Sequence, residues 1–339
     1  AAVTWGKIAD TFERQGEVDE ALRIRREVTL PAFERIGDTR SAAVTWGKIA
    51  DTFERQGEVD EALRIRREVT LPVYERIGDT RSAAVTWGKI ADIFERRGEV
   101  DEALRIRREV TLPVYERIGA TREVAVTWAQ IADIFERRGE ADEALRIRRE
   151  VALPAFERIG DTREVAVTWG KIADIFEQRG EVDEALRIHR EVTLPVYERI
   201  GATREVAVTW GKIADIFERR GEADEALRIH REVTLPVYER IGVTREVAVT
   251  WGKIADIFER RGEADEALRI RREVELPVYE RIGDTRSAAI TWGKIADTFE
   301  QRGEVDEALR IHREVTLPAF ERIGATRSAA ITWGKIADI

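Results

Sequence analysis

The chain has 339 residues, 43% apolar and 36% charged, and its 57 basic and 66 acidic side chains leave a net charge of −9. That is too apolar for a disordered chain and too charged for a membrane protein, and no apolar run approaches the ~20 residues of a membrane helix. The signs of charge are interleaved, so no net basic patch points to nucleic acid, and the absence of Cys removes disulfides, thiolate nucleophiles and Cys-bound metal.

A block of 41 residues recurs almost letter for letter. Trp5, Trp46, Trp87, Trp128, Trp169, Trp210, Trp251, Trp292 and Trp333 are all nine tryptophans, each 41 residues from the next. A fixed period of this length predicts a stack of like units with one continuous core. The expected organisation is a single tandem array over 1–339, with units 1–40, 41–81, 82–122, 123–163, 164–204, 205–245, 246–286 and 287–327 and a partial unit 328–339. The start at Ala1 and the stop inside a unit read as a window from a longer array. No signal-peptide pattern precedes the first unit, which gives cytoplasm as the expected compartment.

Within 41–81, Trp46, Ile49, Ala50 and Phe53 follow the i, i+3, i+4, i+7 spacing of one helical face. This is helix A, with Asp38, Thr39 or Ser41 as its cap, and Asp161-x-x-Glu164 shows capping-box spacing further on. Gly57 suits the left-handed position that ends it. Helix B starts near Val59, with Glu58, Asp60 and Glu61 at the end where the dipole favours negative charge. Ala62, Leu63, Ile65, Val69, Val73, Tyr74 and Ile77 supply its apolar side, and Gly78 closes it. Pro72 interrupts the pattern. The helix either kinks there or stops near Thr70 and restarts with Pro72 in a new first turn; the apolar positions continuing on both sides favour the kink.

Trp46, Ile49, Ala50, Phe53, Gly57 and the run Asp60-Glu61-Ala62-Leu63 together resemble the tetratricopeptide repeat. The 41-residue unit, longer than that family's usual 34, is similar to the long-unit subclass of kinesin light chains and of the sensor arms of bacterial STAND-type ATPases. The resemblance implies an all-α, right-handed α-solenoid superhelix of helix-turn-helix repeats. It implies buried tryptophans and a concave groove lined by the outward positions of helix A. The large apolar residue that the family places four after Ala62 is here Arg66.

Units 164–204 and 205–245 differ only at Gln178/Arg219, Val182/Ala223 and Ala202/Val243. Swaps of this kind (Thr/Ile, Ala/Val, Phe/Tyr, Arg/His) read as drift in a recently duplicated array and are tolerant in volume. His189, His230 and His312 replace the arginine found at Arg25, Arg66, Arg107, Arg148 and Arg271, and are expected to be exposed. Metal would need several further ligands, and none is spaced for it. The Asp60-Glu61 pair is explained by helix-start electrostatics. The Gly47-Lys48 pair lacks the rest of a phosphate loop. No enzyme and no cofactor is expected.

The candidate surface is the outward face of helix A. Stacking predicts a lysine row of Lys48, Lys89, Lys171, Lys212, Lys253 and Lys294, interrupted by Gln130. Beside it run Asp51, Asp92, Asp133, Asp174, Asp215, Asp256 and Asp297, then Arg55, Arg96, Arg137, Arg219 and Arg260. Gly47 leaves shallow gaps in the row. The expected function is a protein-interaction scaffold, the repeat arm of a larger protein, binding a protein or extended peptide but neither nucleic acid nor membrane. The alternative is self-assembly of like arrays into filaments or tubes.

Overall fold

The computed structural model describes residues 2–339, and all regular structure among them is helical. Two compact bodies are formed, Ala1–Ile175 and Phe176–Ile339. Each is a succession of the hairpins that the repeat predicts.

In the unit 41–81, helix A is Thr39–Gln56, and the Asp38 carboxylate accepts the Ser41 N–H at 3.0 Å at its start. Asp79, Asp161 and Asp284 cap their own helices in the same way. Ala120, Ala202, Val243 and Ala325 occupy that position elsewhere without a side-chain cap. Each of those starts forgoes about 1 kcal/mol. Helix A ends on Gly57, whose φ of 86° lies in the left-handed region. The Glu58 N–H then reaches back to the Phe53 carbonyl at 2.9 Å, closing a Schellman turn.

Helix B begins at Val59–Arg64 and ends at Leu71–Arg76, and the two segments are joined by a wide π-helical turn over Ile65–Thr70. The Leu71 N–H bonds to the carbonyl of Arg66, five residues back, while Thr70 and Leu71 keep helical dihedrals. The chain therefore neither stops before Pro72 nor breaks there. An extra residue in the turn accommodates a ring that would clash with the carbonyl one turn back. The same turn precedes the proline in every complete unit.

The core of the first body runs through consecutive units. Ile49, Ala50, Phe53, Ala62 and Ile65 pack with Ile90, Ala91, Phe94 and Ile106. In the second body Ala248, Leu268, Tyr279, Ile295 and Phe299 do the same. Arginines of helix B lie over the phenylalanine of the following helix A, with Arg67 4.9 Å from the Phe94 ring and Arg231 5.1 Å from Phe258. Such stacking adds about 0.5–1 kcal/mol at partly exposed sites. The tryptophans differ from expectation: Trp46 and Trp87 are only partly buried against the core, and Trp5 and Trp333 are 42% and 55% exposed. An indole at this position covers the seam between helices and keeps one edge in water.

Candidate interaction face

The face of helix A that carries the predicted rows is organised from beneath by a buried cation. Arg66 is 4% exposed, and its guanidinium donates to Asp51 at 2.5 Å and Glu54 at 3.1 Å. Arg25, Arg107, Arg148 and Arg271 are buried in the same way, each on the aspartate and glutamate of its own helix A. The position where the repeat family carries an apolar residue thus holds an ion pair. Arg25 and Arg271 also reach into the next unit, to Thr52 at 3.1 Å and Thr298 at 3.0 Å, and Arg107 donates to Gln130 at 2.6 Å. The Thr/Ile alternation at residue 52 and its equivalents is therefore more than a volume swap, because the threonine accepts a bond that isoleucine cannot. Burial by itself would raise Glu13, but hydrogen bonds from Arg25 and Thr52 hold it down at about 2.

Above this layer the predicted rows pair with one another between units. Lys48 binds Asp10 at 2.6 Å, Lys253 binds Asp215 at 2.6 Å, and Lys294 binds Asp256 at 2.6 Å, whereas Lys89–Asp51 and Lys171–Asp133 stand at 3.9 Å. Lys335 pairs with Asp297. Arg55, Arg96, Arg137, Arg219 and Arg260 each pair with the glutamate one unit earlier, at Glu13, Glu54, Glu95, Glu177 and Glu218. Asp92 is held by Arg107 at 2.5 Å, and Asp174 and Lys212 are also engaged. Within each body the three rows lie side by side, where they largely neutralise each other. An exposed pair of this kind contributes about 0–1 kcal/mol.

The histidines are not exposed. His189, His230 and His312 are each 1% exposed and sit where the buried arginine sits elsewhere. They take over its packing, and burial lowers the pKa of His230 and His312. Burial, then the Lys253 charge, pushes His230 down to about 4 against the pull of Asp215. No group of three or more His, Cys, Asp or Glu among the described residues is placed to hold a metal ion.

Between one helix A and the next lies an open recess with a glycine as its floor. In the first body, Gly47 and Lys48, Arg66 and Tyr74 of helix B, and Thr86 and Lys89 of the following unit enclose about 240 Å³. A recess of about 160 Å³ over Gly211 repeats this arrangement with Lys212, His230, Tyr238, Thr250 and Lys253. A first side-chain carbon on either glycine would meet no atom within 4 Å. Val44 and Val85, 39% and 45% exposed, form the apolar rim of the first recess, and Val208 does the same at the second.

One residue that shapes this face escapes a reading based on drift. Glu275 stands where Thr70, Thr111, Thr193, Thr234 and Thr316 stand in other units. It is buried, its Oε1 accepts the Thr291 hydroxyl at 2.8 Å, and its Oε2 has no partner. Burial raises its pKa. The signal was present in the sequence, since a threonine-to-glutamate change needs two nucleotide substitutions, as the Ser82/Glu123 alternation does, whereas most of the swaps need one.

Residues 168–194 match the profile of the family described as Tetratricopeptide repeat. The units being near-identical, the matched stretch recurs along the array. No curated protein sequence matches the chain. Among solved structures, the chain is similar to the Signal Transduction ATPase with Numerous Domains protein with a tetratricopeptide repeat sensor from Pyrococcus horikoshii, at 14% identity and a TM-score of 0.63 over 98% of this chain and 52% of that one. This chain therefore spans about half the length of that protein. It is similar to the apo form of the quorum sensor NprR from B. thuringiensis, at 13% identity and a TM-score of 0.63 over 93% and 86% of the two chains. A Rap protein complexed with Competence and Sporulation Factor follows at 12% identity and a TM-score of 0.53, over 99% and 96%. At these identities the likeness is one of fold: an all-α array of tetratricopeptide-type hairpins.

Proposed function

We propose that this array of tetratricopeptide-type repeats is a non-catalytic interaction scaffold, a repeat arm that binds an extended protein segment along the helix A face. The observation that carries the reading is the recess itself, which is open, rimmed by exposed valine and present in both bodies. Surfaces that combine an apolar rim with a few converging polar groups are the usual places for binding. The self-paired lysine, aspartate and arginine rows set the face's polarity and leave the recesses as its distinctive features. The NprR and Rap similarities support the reading to the extent that one of those proteins is a sensor and the other was solved with a bound factor. Units that repeat so closely offer near-equivalent recesses, so a short peptide gains little and a long one gains through effective concentration.

The test is selection of extended peptides from a random display library against the whole chain, followed by binding to variants. The exposed Val44→Asp and Val85→Asp changes should leave the melting temperature unchanged and reduce the amount of each selected peptide that the chain binds, and affinity should climb with peptide length. Peptides indifferent to both valines, and to charge reversal of Lys171, Lys212 and Lys253 together, would place binding elsewhere.

A further inference from the structure

The charges of a unit divide into those that the fold pairs and those that it leaves alone. On the helix A face, lysine with aspartate and arginine with glutamate pair between units. In the first half of helix B, Arg64 pairs with Glu61 at 2.6 Å and Glu68 at 3.5 Å, and Arg228 does the same with Glu225 and Glu232. In the loop after helix B, Arg40 reaches Asp79 at 2.8 Å and Arg245 reaches Asp284 at 3.0 Å.

The last turn of helix B is different. Its glutamate and arginine, Glu75 and Arg76 in the unit 41–81, are exposed, and their side chains make no hydrogen bond or ion pair among the described residues. The same holds in every complete unit, as at Glu34-Arg35, Glu198-Arg199 and Glu239-Arg240. Neighbouring helical residues point about 100° apart, so the two charges cannot meet each other. Repetition turns them, within each body, into a row of glutamates beside a row of arginines. An isoleucine follows each pair, and Ile77, Ile200 and Ile282 are 40%, 40% and 39% exposed. Between Glu280 and Arg322 the surface opens into a recess of about 400 Å³ lined by Trp292, Val315, Pro318 and Ala319. Apolar ground edged by charge is the build of a protein interface.

The two rows carry equal numbers of each sign, so they favour neither an acidic nor a basic partner. What fits them is a surface with opposite rows, the same unit spacing and an apolar group beside each pair. The array is itself such a surface: turned over about an axis along the rows, its arginines face glutamates. We propose that the last turns of helix B form an interface between two copies of this chain, side by side and parallel, with the glutamate row of each opposite the arginine row of the other. The contact is isologous. An antiparallel pairing sets glutamate against glutamate and is refused by like-charge repulsion. The interface draws on residues other than those lining the Gly47 and Gly211 recesses, so it stands or falls apart from the scaffold reading.

Sedimentation equilibrium of the full chain at low ionic strength should show dimers that dissociate as salt screens the exposed charges. Replacing both residues of every pair by glutamine, as in Glu75→Gln with Arg76→Gln, keeps the net charge. It should weaken dimerisation several-fold at an unchanged melting temperature, since neither side chain has a partner in its own chain to lose. Exchanging the two residues in every unit, as in Glu75→Arg with Arg76→Glu, also keeps the net charge. The exchanged chain should dimerise with itself yet form no mixed dimers with the parent chain, read by energy transfer between copies labelled at their amino termini. A parent chain that stays monomeric at low salt, a glutamine variant that dimerises as well as the parent, or free mixing of exchanged and parent chains overturns the interface.

Discussion

Glu275 and Gly252 occupy one space: the carboxylate oxygen of the first lies 2.8 Å from where a side chain on the second would begin. Over Gly47 the same space is empty. Two glycines at the same position of the repeat are therefore under opposite constraints.

The first expected outcome follows directly. Gly47→Ala should stabilise the chain by about 0.5–1 kcal/mol, the usual gain from removing a glycine inside a helix. Gly252→Ala should give no such gain, because Glu275 must leave its bond to Thr291 to make room. Adding Glu275→Thr should restore it, so the pair is non-additive. Urea unfolding midpoints of the three variants check this.

Glu275 also gives a pH signature. Burial raises its folded pKa above its ordinary value. A carboxylate raised in this direction destabilises the fold above the folded pKa, and the cost fades as pH falls through that pKa toward the unfolded value. Glu275→Thr should therefore raise the melting temperature at neutral pH, and the difference from the parent chain should shrink as pH falls toward 4.5. A difference that grows on acidification would contradict the buried position.

Removing a buried cation takes one partner from each of its carboxylates. Arg66→Ala leaves Asp51 with Lys89 and Glu54 with Arg96, but it opens a cavity and breaks two buried hydrogen bonds, and should cost about 2–4 kcal/mol. Arg66→His should cost clearly less, since three units carry histidine at this position. Hydrogen exchange of the amides in residues 60–75 would report the local loss in each variant.

His230 makes its unit sensitive to acid. Its folded pKa, about 4, lies below its ordinary 6.5, so the unfolded chain takes up a proton first as pH falls. The stability it allows is complete above 6.5 and is lost between 6.5 and about 4, at most about 3 kcal/mol for a shift of this size. Asp215, Lys212 and Lys253 face the ring from the neighbouring helices. His230→Arg should flatten the pH dependence of the melting temperature in that window, because arginine does not titrate there.

Much of the hairpin was legible before any coordinates. The start of helix A at Asp38, its end at Gly57 and the close of helix B at Gly78 are local events, decided by a cap side chain and by glycine's access to positive φ. Ile49, Ala50 and Phe53 were placed in the core by spacing alone, and they are buried. The wide turn before Pro72 was half legible. The proline announces an irregularity, but whether it becomes a kink, a break or an extra residue depends on what packs against the helix.

What escaped the sequence was decided between elements. Arg66 reads as a surface residue until Asp51 and Glu54, 15 and 12 positions earlier, are folded against it. His230 and its equivalents share that misreading, because they inherit the buried site. The rows of Lys, Asp and Arg were placed on one face by the repeat period, yet their mutual pairing depends on contacts 38 and 42 residues apart. Glu275 shows the same division most plainly. Local geometry and a 41-residue period set the repeat, the hairpin and the face. Which charges are buried, which recesses are open and which is already filled are settled on folding, because burial and pairing arise when distant side chains meet in one low-dielectric space.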